Sequence, residues 1–526
     1  MTKHQSRLAS LGALAASAGL AGAFALAPAP QTPTAFAAPR FGAMGPSTTT
    51  APYLVPNPAL GDMVSLTSIL TVGDSVGGYR MVGIPDGLGA FAGQGDSMNL
   101  LVNHELGSTR GELRGHASKG AFVSRWAINR NTLKVEAGQD LVTSPGSMFL
   151  WDTAKKAFNA ATTAIERLCS ADMAAPGAFW WNGLGTQDRI LLNGEETTGG
   201  RGFAWIATGA QAGQAWQLPR MGRGAFENLV ANPMPQAKTI VIGLEDGNLS
   251  TAPVVSAAPS QLSVYIGAKQ ASGSTIERAG LTNGKLYGIQ VEVDGVVRSE
   301  EDDTAGLGLP WEGWRSGAGF KMVAVGNDGD VSGLTAAQLE QSMIEKQALR
   351  MRRIEDGAWD PRPGYESHFY FVTTSSFTTN SRLWRLRFWD IQNPEAGGAL
   401  DLLLNGDEGH KMLDNITVDK YGRVILQEDP GNEPYIARVW AYGIDTKEFV
   451  PVAWFNPALF GQGQPGVITL DEESSGIIDA SDLLGGGYYL LDAQVHKTLA
   501  DTELVEMGQL LAMWIDPRIA TPVGSR

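Results

Sequence analysis

Short apolar runs separated by explicit turns recur along almost the whole chain, and this punctuation limits the fold more than any other feature. Met98–Asn103, Arg189–Asn193, Thr239–Leu244, Leu262–Gly267, Lys285–Val293, Phe369–Thr373, Leu383–Phe388, Ile416–Gln427, Arg438–Gly443 and Tyr488–Asp492 all read as strands. Between some of them stand Thr282-Asn283-Gly284, Asp419-Lys420-Tyr421-Gly422 and Asp445-Thr446-Lys447, sequences that reverse an extended chain. The runs carry no repeat of constant length. With 65 Gly and 14 Trp in 526 residues, the pattern suits a large all-β array whose aromatic residues fill the spaces between sheets. We therefore expect an all-β chain, a β-propeller of six blades whose sequence repeats have drifted apart.

One segment departs from this pattern. From Leu334 to Ile354 the apolar residues Leu334, Leu339, Met343, Leu349 and Ile354 fall at loosely helical spacing. Thr335 is placed as an N-cap and Gly357 follows the end, so one inserted helix is expected near 334–354. Residues 300–333, acidic and then glycine-rich, read as a long connecting loop.

The N-terminus reads as an export signal. Lys3, His4 and Arg7 precede an uncharged stretch from Leu8 to Ala38, and Ala35-Phe36-Ala37 supplies a small-x-small cleavage pattern before Ala38. The other reading is an N-terminal membrane anchor, since the stretch approaches the ~20 residues that span a bilayer. The expected organisation is a signal peptide over 1–37, a flexible Pro/Thr/Ala-rich lead-in over 38–60 and one propeller domain over 61–526. The mature protein is then expected outside the cytoplasm, in a periplasm, at a cell surface or in the medium. No later segment is long and apolar enough to span a membrane.

Charge and cysteine usage bound the chemistry. The formal net charge is −15, and it becomes −17 once Lys3 and Arg7 leave with the signal. That field repels nucleic acid, while an excess of carboxylates suits hard cations. Cys169 is the single cysteine, so no intramolecular disulfide can form. It is either a small buried apolar residue or a metal-bound thiolate.

The acids concentrate where strands end. Glu105 follows Asn103-His104; Glu195 and Glu196 follow Asn193-Gly194; Glu245-Asp246-Gly247 and Glu355-Asp356-Gly357 repeat the arrangement. Asp414-Asn415 opens a strand that Glu428-Asp429 closes. In a propeller, equivalent strand ends converge on the central channel, and carboxylates gathered there must be protonated, paired or bridged by cations. Adjacent acids such as Glu195 and Glu196 point to opposite faces of a regular strand, so either one of each pair is solvated or the backbone bends. There is no EF-hand loop, no His-Glu-x-x-His and no glycine-rich phosphate loop.

These residues resemble the PhoX-type alkaline phosphatases, exported β-propeller metalloenzymes, over about Tyr79 to Leu511. The markers are Met81-Val82-Gly83-Ile84-Pro85-Asp86-Gly87-Leu88-Gly89 with Asn103-His104-Glu105, then Gly194-Glu195-Glu196, and Pro219-Arg220-Met221-Gly222-Arg223 running to Glu227. Arg353-Ile354-Glu355-Asp356-Gly357-Ala358-Trp359-Asp360 and Asp414-Asn415-Ile416-Thr417-Val418 with Glu428-Asp429 complete them. The resemblance implies calcium, with iron as a second metal, held mostly by carboxylates at the channel mouth. It assigns Glu105, Glu195, Glu196, Glu227, Glu355, Asp414, Asn415 and Glu428 as metal ligands, and Arg353 as a phosphate-contacting catalytic residue. The implied activity is metal-assisted hydrolysis of a small phosphorylated substrate, a monoester or diester. Arg353 read from its neighbours alone is equally a helix-end charge beside Arg350 and Arg352. The family's Asn-Cys-Ala-Gly-Gly run before its paired glutamates is absent here, and Cys169 stands well upstream of Glu195. That departure keeps open a non-catalytic calcium-binding propeller serving a cell-envelope component, and a propeller lactonase built on one calcium.

Overall fold

A computed structural model describes residues 39–247, 260–293, 295–300 and 317–522; the expected signal peptide and its cleavage point lie outside these. The described residues pack as a single unit.

Among the described residues six short strands form the innermost layer: Pro85–Ala92, Leu168–Met173, Arg223–Ala231, Ile354–Trp359, Leu413–Val418 and Glu472–Asp479. Each packs against the next, and the last packs against the first, so the layer is a closed ring. Each inner strand is followed outward by an antiparallel neighbour, as in Pro85–Ala92, Ser97–His104, Phe122–Asn129 and Val135–Asp140; one parallel pair, Ala215–Gln217 with Met148–Asp152, lies farther out from Leu168–Met173. The closing sheet joins the two ends of the chain, because Val64–Thr71 pairs with Glu506–Ile515, which pairs in turn with Tyr488–Thr498 and so with Glu472–Asp479. The fold is a β-propeller. Hydrogen bonding crosses between neighbouring units at two places: Ile190–Ile206, 17 residues long, pairs with both Leu168–Met173 and Arg223–Ala231, and Ala318–Ala324 pairs with both Lys285–Val293 and Gly398–Leu404.

Alternation along the strands creates the core. Leu88, Trp126 and Leu490 meet between the first and closing sheets, and Val439, Ala453, Leu491 and Leu511 between the closing and last sheets. A charged network ties the same interface: buried Arg423 donates from Nε to Asp419 Oδ2 (2.7 Å), from Nη1 to the Asp516 carbonyl (2.9 Å) and from Nη2 to Tyr489 Oη (2.9 Å). Arg423→Met removes the partner of an Asp419 with no solvent exposure, so a loss of about 3–5 kcal/mol is expected in a denaturant titration.

Two expectations need correction. Residues 39–60 are docked, not a free lead-in: Leu54–Pro56 extends the last sheet by pairing with 453–455, and buried Tyr53 donates its N–H to Gln509 Oε1 (2.8 Å). The inserted helix covers only Ala336–Glu345, shorter than 334–354. Thr335 does cap it, in a reciprocal pair with Gln338, and Leu339 and Met343 are buried. The helix stops because Gln347 is left-handed (φ 51°) and the next residues join strands, with Leu349 N–H on the Ile289 carbonyl and Met351 N–H on that of Ser260. Among the described residues no helix is long and apolar enough to cross a membrane.

Candidate metal centre

The sequence shows no repeat of fixed length, but the strand register does. In each inner strand one residue is the first to pair with the next strand outward: Pro85 with His104, Leu168 with Glu195, Phe226 with Glu245, Ile354 with Thr373, Leu413 with Glu428, and Glu472 with Val495. One residue beyond each partner, on both strands, lies the channel. The inner positions are Asp86, Cys169, Glu227, Glu355, Asp414 and Glu473; their neighbours one strand out are Glu105, Glu196, Asp246, Thr374, Asp429 and His496. Eleven of these twelve carry a carboxylate, a thiol or an imidazole, and ten line a single cleft of about 280 Å³.

A local irregularity accompanies this placement. At five of these six pairings the register slips immediately after the paired residue, for example between Leu168 and Ala171 or between Ile354 and Gly357. A bulge there bends the inner strand and re-aims the side chain next to it. The residue before the paired one is left-handed in four sheets, at Ile84, Arg167, Arg353 and Met412, with φ between 40° and 56° apart from 39° at Arg167. Such a conformation is costly for a non-glycine residue, above all for β-branched Ile84, and its recurrence marks a built channel mouth.

The ligand atoms approach closely. Three groups each have all their candidate donor atoms within 4.8 Å of one another: Asp86, Glu105 and Cys169; Cys169, Glu196 and Glu227; Glu227, Glu355 and Asp414. Cys169 and Glu227 are shared, so the groups form one chain across the cleft. Two arginines flank it. Arg167 Nη2 lies 2.7 Å from Glu105 Oε1 and 2.5 Å from Glu196 Oε2. Arg353 grips Asp246 through Nε (2.9 Å) and Nη2 (2.7 Å). Its Nη2 is also 3.2 Å from Glu355 Oε1, an ion-pair contact without hydrogen-bond geometry. Nη1 of each arginine makes no hydrogen bond among the described residues.

Nine carboxylates therefore face two arginines and one imidazolium in the cleft. Burial, reinforced by mutual repulsion, lifts Asp86, Glu196, Glu355 and Asp414 well above the usual carboxylate range. Glu227 rises to about 8 and Asp429 to about 7, in both cases chiefly through burial. Burial opposes a charge on His496, but hydrogen bonds to Glu473 and Glu506 outweigh it and raise its pKa to about 11. Several acids would thus hold protons at neutral pH unless cations displaced them. The residues fit cations: Asp86 Oδ1, Glu227 Oε2 and Asp414 Oδ1 are buried with no hydrogen-bond partner. Carboxylate oxygens suit calcium, and the Cys169 sulfur would suit a softer transition metal.

Of the residues singled out from sequence, Glu105, Glu196, Glu227, Glu355, Asp414 and Arg353 meet in the cleft. Glu195 and Glu428 do not. They are the register-paired residues, so their side chains face away. Glu195 is held by Arg201 through two contacts of 2.6 Å, and Glu428 accepts from the N–H groups of Lys411 and Arg438 and from Trp440 Nε1. Asn415 stands behind the cleft, donating to Ser170 Oγ (2.5 Å), which donates to Glu227 Oε1. Arg167, Asp246, Asp429, Asp471, Glu473 and His496 line the cleft without having been singled out as site residues. The acidic doublets held the missing signal: in Glu195-Glu196, Glu245-Asp246, Glu428-Asp429 and Glu472-Glu473 the second residue lines the cleft each time.

Among solved structures the fold is similar to Pseudomonas fluorescens PhoX in complex with vanadate, a transition state analogue. The TM-score is 0.58 at 11% identity, covering 88% of this chain and 96% of that one. What the two share is the propeller. Also found are the calcium-binding protein regucalcin of Agrobacterium tumefaciens (TM-score 0.32, 10% identity, 84% of this chain and 94% of that one) and the β-propeller domain of the Trilobed protease of Pyrococcus furiosus (0.30, 9%, 82% and 96%). No family model matches the sequence, and no curated protein matches it.

Proposed function

We propose that this propeller is an exported, metal-dependent phosphoric ester hydrolase whose cations sit on the ring of carboxylates and Cys169. The observation that carries the reading is the shared chain of three donor groups with Arg353 at its edge. The likeness to a propeller whose structure holds vanadate supports it. Cys169 gives it a thiolate donor: although 26 residues before Glu195 in the chain, its sulfur lies within 4.8 Å of ligand oxygens of Glu196 and Glu227. Calcium would occupy the all-carboxylate group, and iron the groups that include the sulfur.

Bound cations would neutralise phosphoryl oxygens and acidify a water molecule. The protein's own residues do the rest. Arg353 is fixed by Asp246 and Glu355, leaving Nη1 to donate to an equatorial phosphoryl oxygen as charge develops there. His496 keeps its proton at neutral pH and contributes positive charge rather than a base. Ser170 and Asn415 hold Glu227 in place.

Arg353→Ala is expected to lower kcat/KM about 10²–10³-fold on the preferred ester. Arg353→Lys should recover little of it, because an ammonium lacks the planar fork. The test is a panel of phosphomonoesters and phosphodiesters with calcium- and iron-loaded protein. Absence of hydrolysis of every ester, with a calcium-dependent rise in melting temperature, would favour a non-catalytic calcium-binding propeller. The existing engagement of Arg353 by Asp246 and Glu355 gives that second reading its one point of support.

A further inference from the structure

Asp492 is the most anomalous polar group outside the cleft. It lies on Tyr488–Thr498, has no solvent exposure, and neither carboxylate oxygen has a hydrogen-bond partner. His496 stands four residues along on the same face, so Asp492 is about 13 Å deeper in the sheet than that cleft residue. Between them on this face is Gln494. Its Nε2 is 3.2 Å from Asp86 Oδ2, 2.9 Å from Glu105 Oε2 and 3.3 Å from Ser475 Oγ, while its Oε1 is buried and unpartnered.

Asp86 reaches the same region from the first sheet. Its Oδ2 accepts from the Cys169 thiol (3.2 Å) on the cleft side, and its Oδ1 is buried without a partner. Gly476 lets the two sheets approach closely there: a Cβ at that residue would lie 2.5 Å from the Asp86 carbonyl oxygen and 3.2 Å from Asp492 Oδ1. The Asp86 main chain and the Asp492 carboxylate therefore lie side by side, with only Gly476 between them.

We propose that Asp492, Asp86 and Gln494 form a further, fully enclosed site for a hard divalent cation beneath the cleft, sharing Asp86 with the ring. Both oxygens of Asp492, Asp86 Oδ1 and Gln494 Oε1 supply four unpaired oxygen donors, with no nitrogen or sulfur among them, which is the donor chemistry of calcium. A proton on Asp492 would satisfy one oxygen at most, whereas a cation between Asp492 and Asp86 would leave neither carboxylate unpaired. Because Asp86 belongs to the strand Pro85–Ala92 and Asp492 to the closing sheet, the ion would fasten the beginning of the ring to its end. The proposal does not depend on hydrolysis.

The test uses the full chain. Calcium bound per chain is measured by elemental analysis after equilibration and desalting, for the native protein, Asp492→Asn and Glu227→Gln. Asp492→Asn is expected to hold one ion fewer than the native protein and to lose part of the calcium-dependent rise in melting temperature, while Glu227→Gln keeps this ion and loses another. Equal stoichiometry and equal calcium response in native protein and Asp492→Asn would overturn the proposal. They would mark Asp492 as a protonated carboxyl, for which Asn is a close replacement. Anomalous scattering from native crystals grown with calcium gives a reading that needs no variant to fold: a peak between Asp492 and Asp86 is expected, and a water or no density there overturns the site.

Discussion

Glu227→Gln is expected to abolish hydrolysis, by about 10³-fold or more, and to remove metal from the cleft without unfolding the chain. Glu227 has no solvent exposure and belongs to two of the three donor groups, so no other carboxylate is shared as widely. Its Oε1 accepts from Ser170 and its Oε2 is unpartnered. Gln preserves the shape and can still accept from Ser170, but it removes the charge that a cation between Cys169 and Glu196, or between Glu355 and Asp414, would need. Elemental analysis and ester turnover on the same preparation check the outcome. Native metal content together with native activity would show that the acids of the ring do not act as a metal cluster.

The second large effect is an inversion of the pH dependence of stability by calcium. In metal-free protein Glu227 titrates near 8 and Asp429 near 7, against ordinary values of 4.5 and 3.8, and Asp86, Glu355 and Asp414 are displaced in the same direction. A carboxyl raised by folding binds its proton more tightly in the native state than in the unfolded one. Its contribution is therefore fully present below about pH 4 and is lost as pH rises through the folded value, here up to about 8. Metal-free protein should lose on the order of 10 °C in melting temperature between pH 5 and pH 8.5. Calcium reverses the slope, because it competes with those protons and binds the ionised ring; each site at 100 times its Kd adds about 2.7 kcal/mol. Melting curves at five pH values with chelator and with calcium check this. A chelator-treated protein that is more stable at pH 8.5 than at pH 5 would contradict it.

Much of this architecture is legible in the sequence, and the residues that escape do so for identifiable reasons. The alternation of short strands and turns identifies the propeller because each run is long enough to show its period. The doublet Glu195-Glu196 is visible too, yet choosing the channel-facing member requires the register, and register depends on Leu168, 27 residues upstream of Glu195. A bulge after Leu168 or Ile354 leaves no signature in composition. His496 lacks both a flanking glycine and an acidic doublet, so nothing local sets it apart from a surface charge. Cys169 illustrates the opposite limit: its distance along the chain from Glu196 argued against a shared site, and pairing across the sheet removes that distance. The inserted helix was overextended because Leu349 and Ile354 continue a helical spacing, although their backbones are taken by strand partners.

Elemental analysis of the native protein, purified without chelator, bears on the central claim most directly. Two or more divalent or trivalent ions per chain are expected, calcium with iron, falling in Glu227→Gln. A purified protein that carries no metal, and whose melting temperature at pH 8 does not respond to added calcium, would contradict the account.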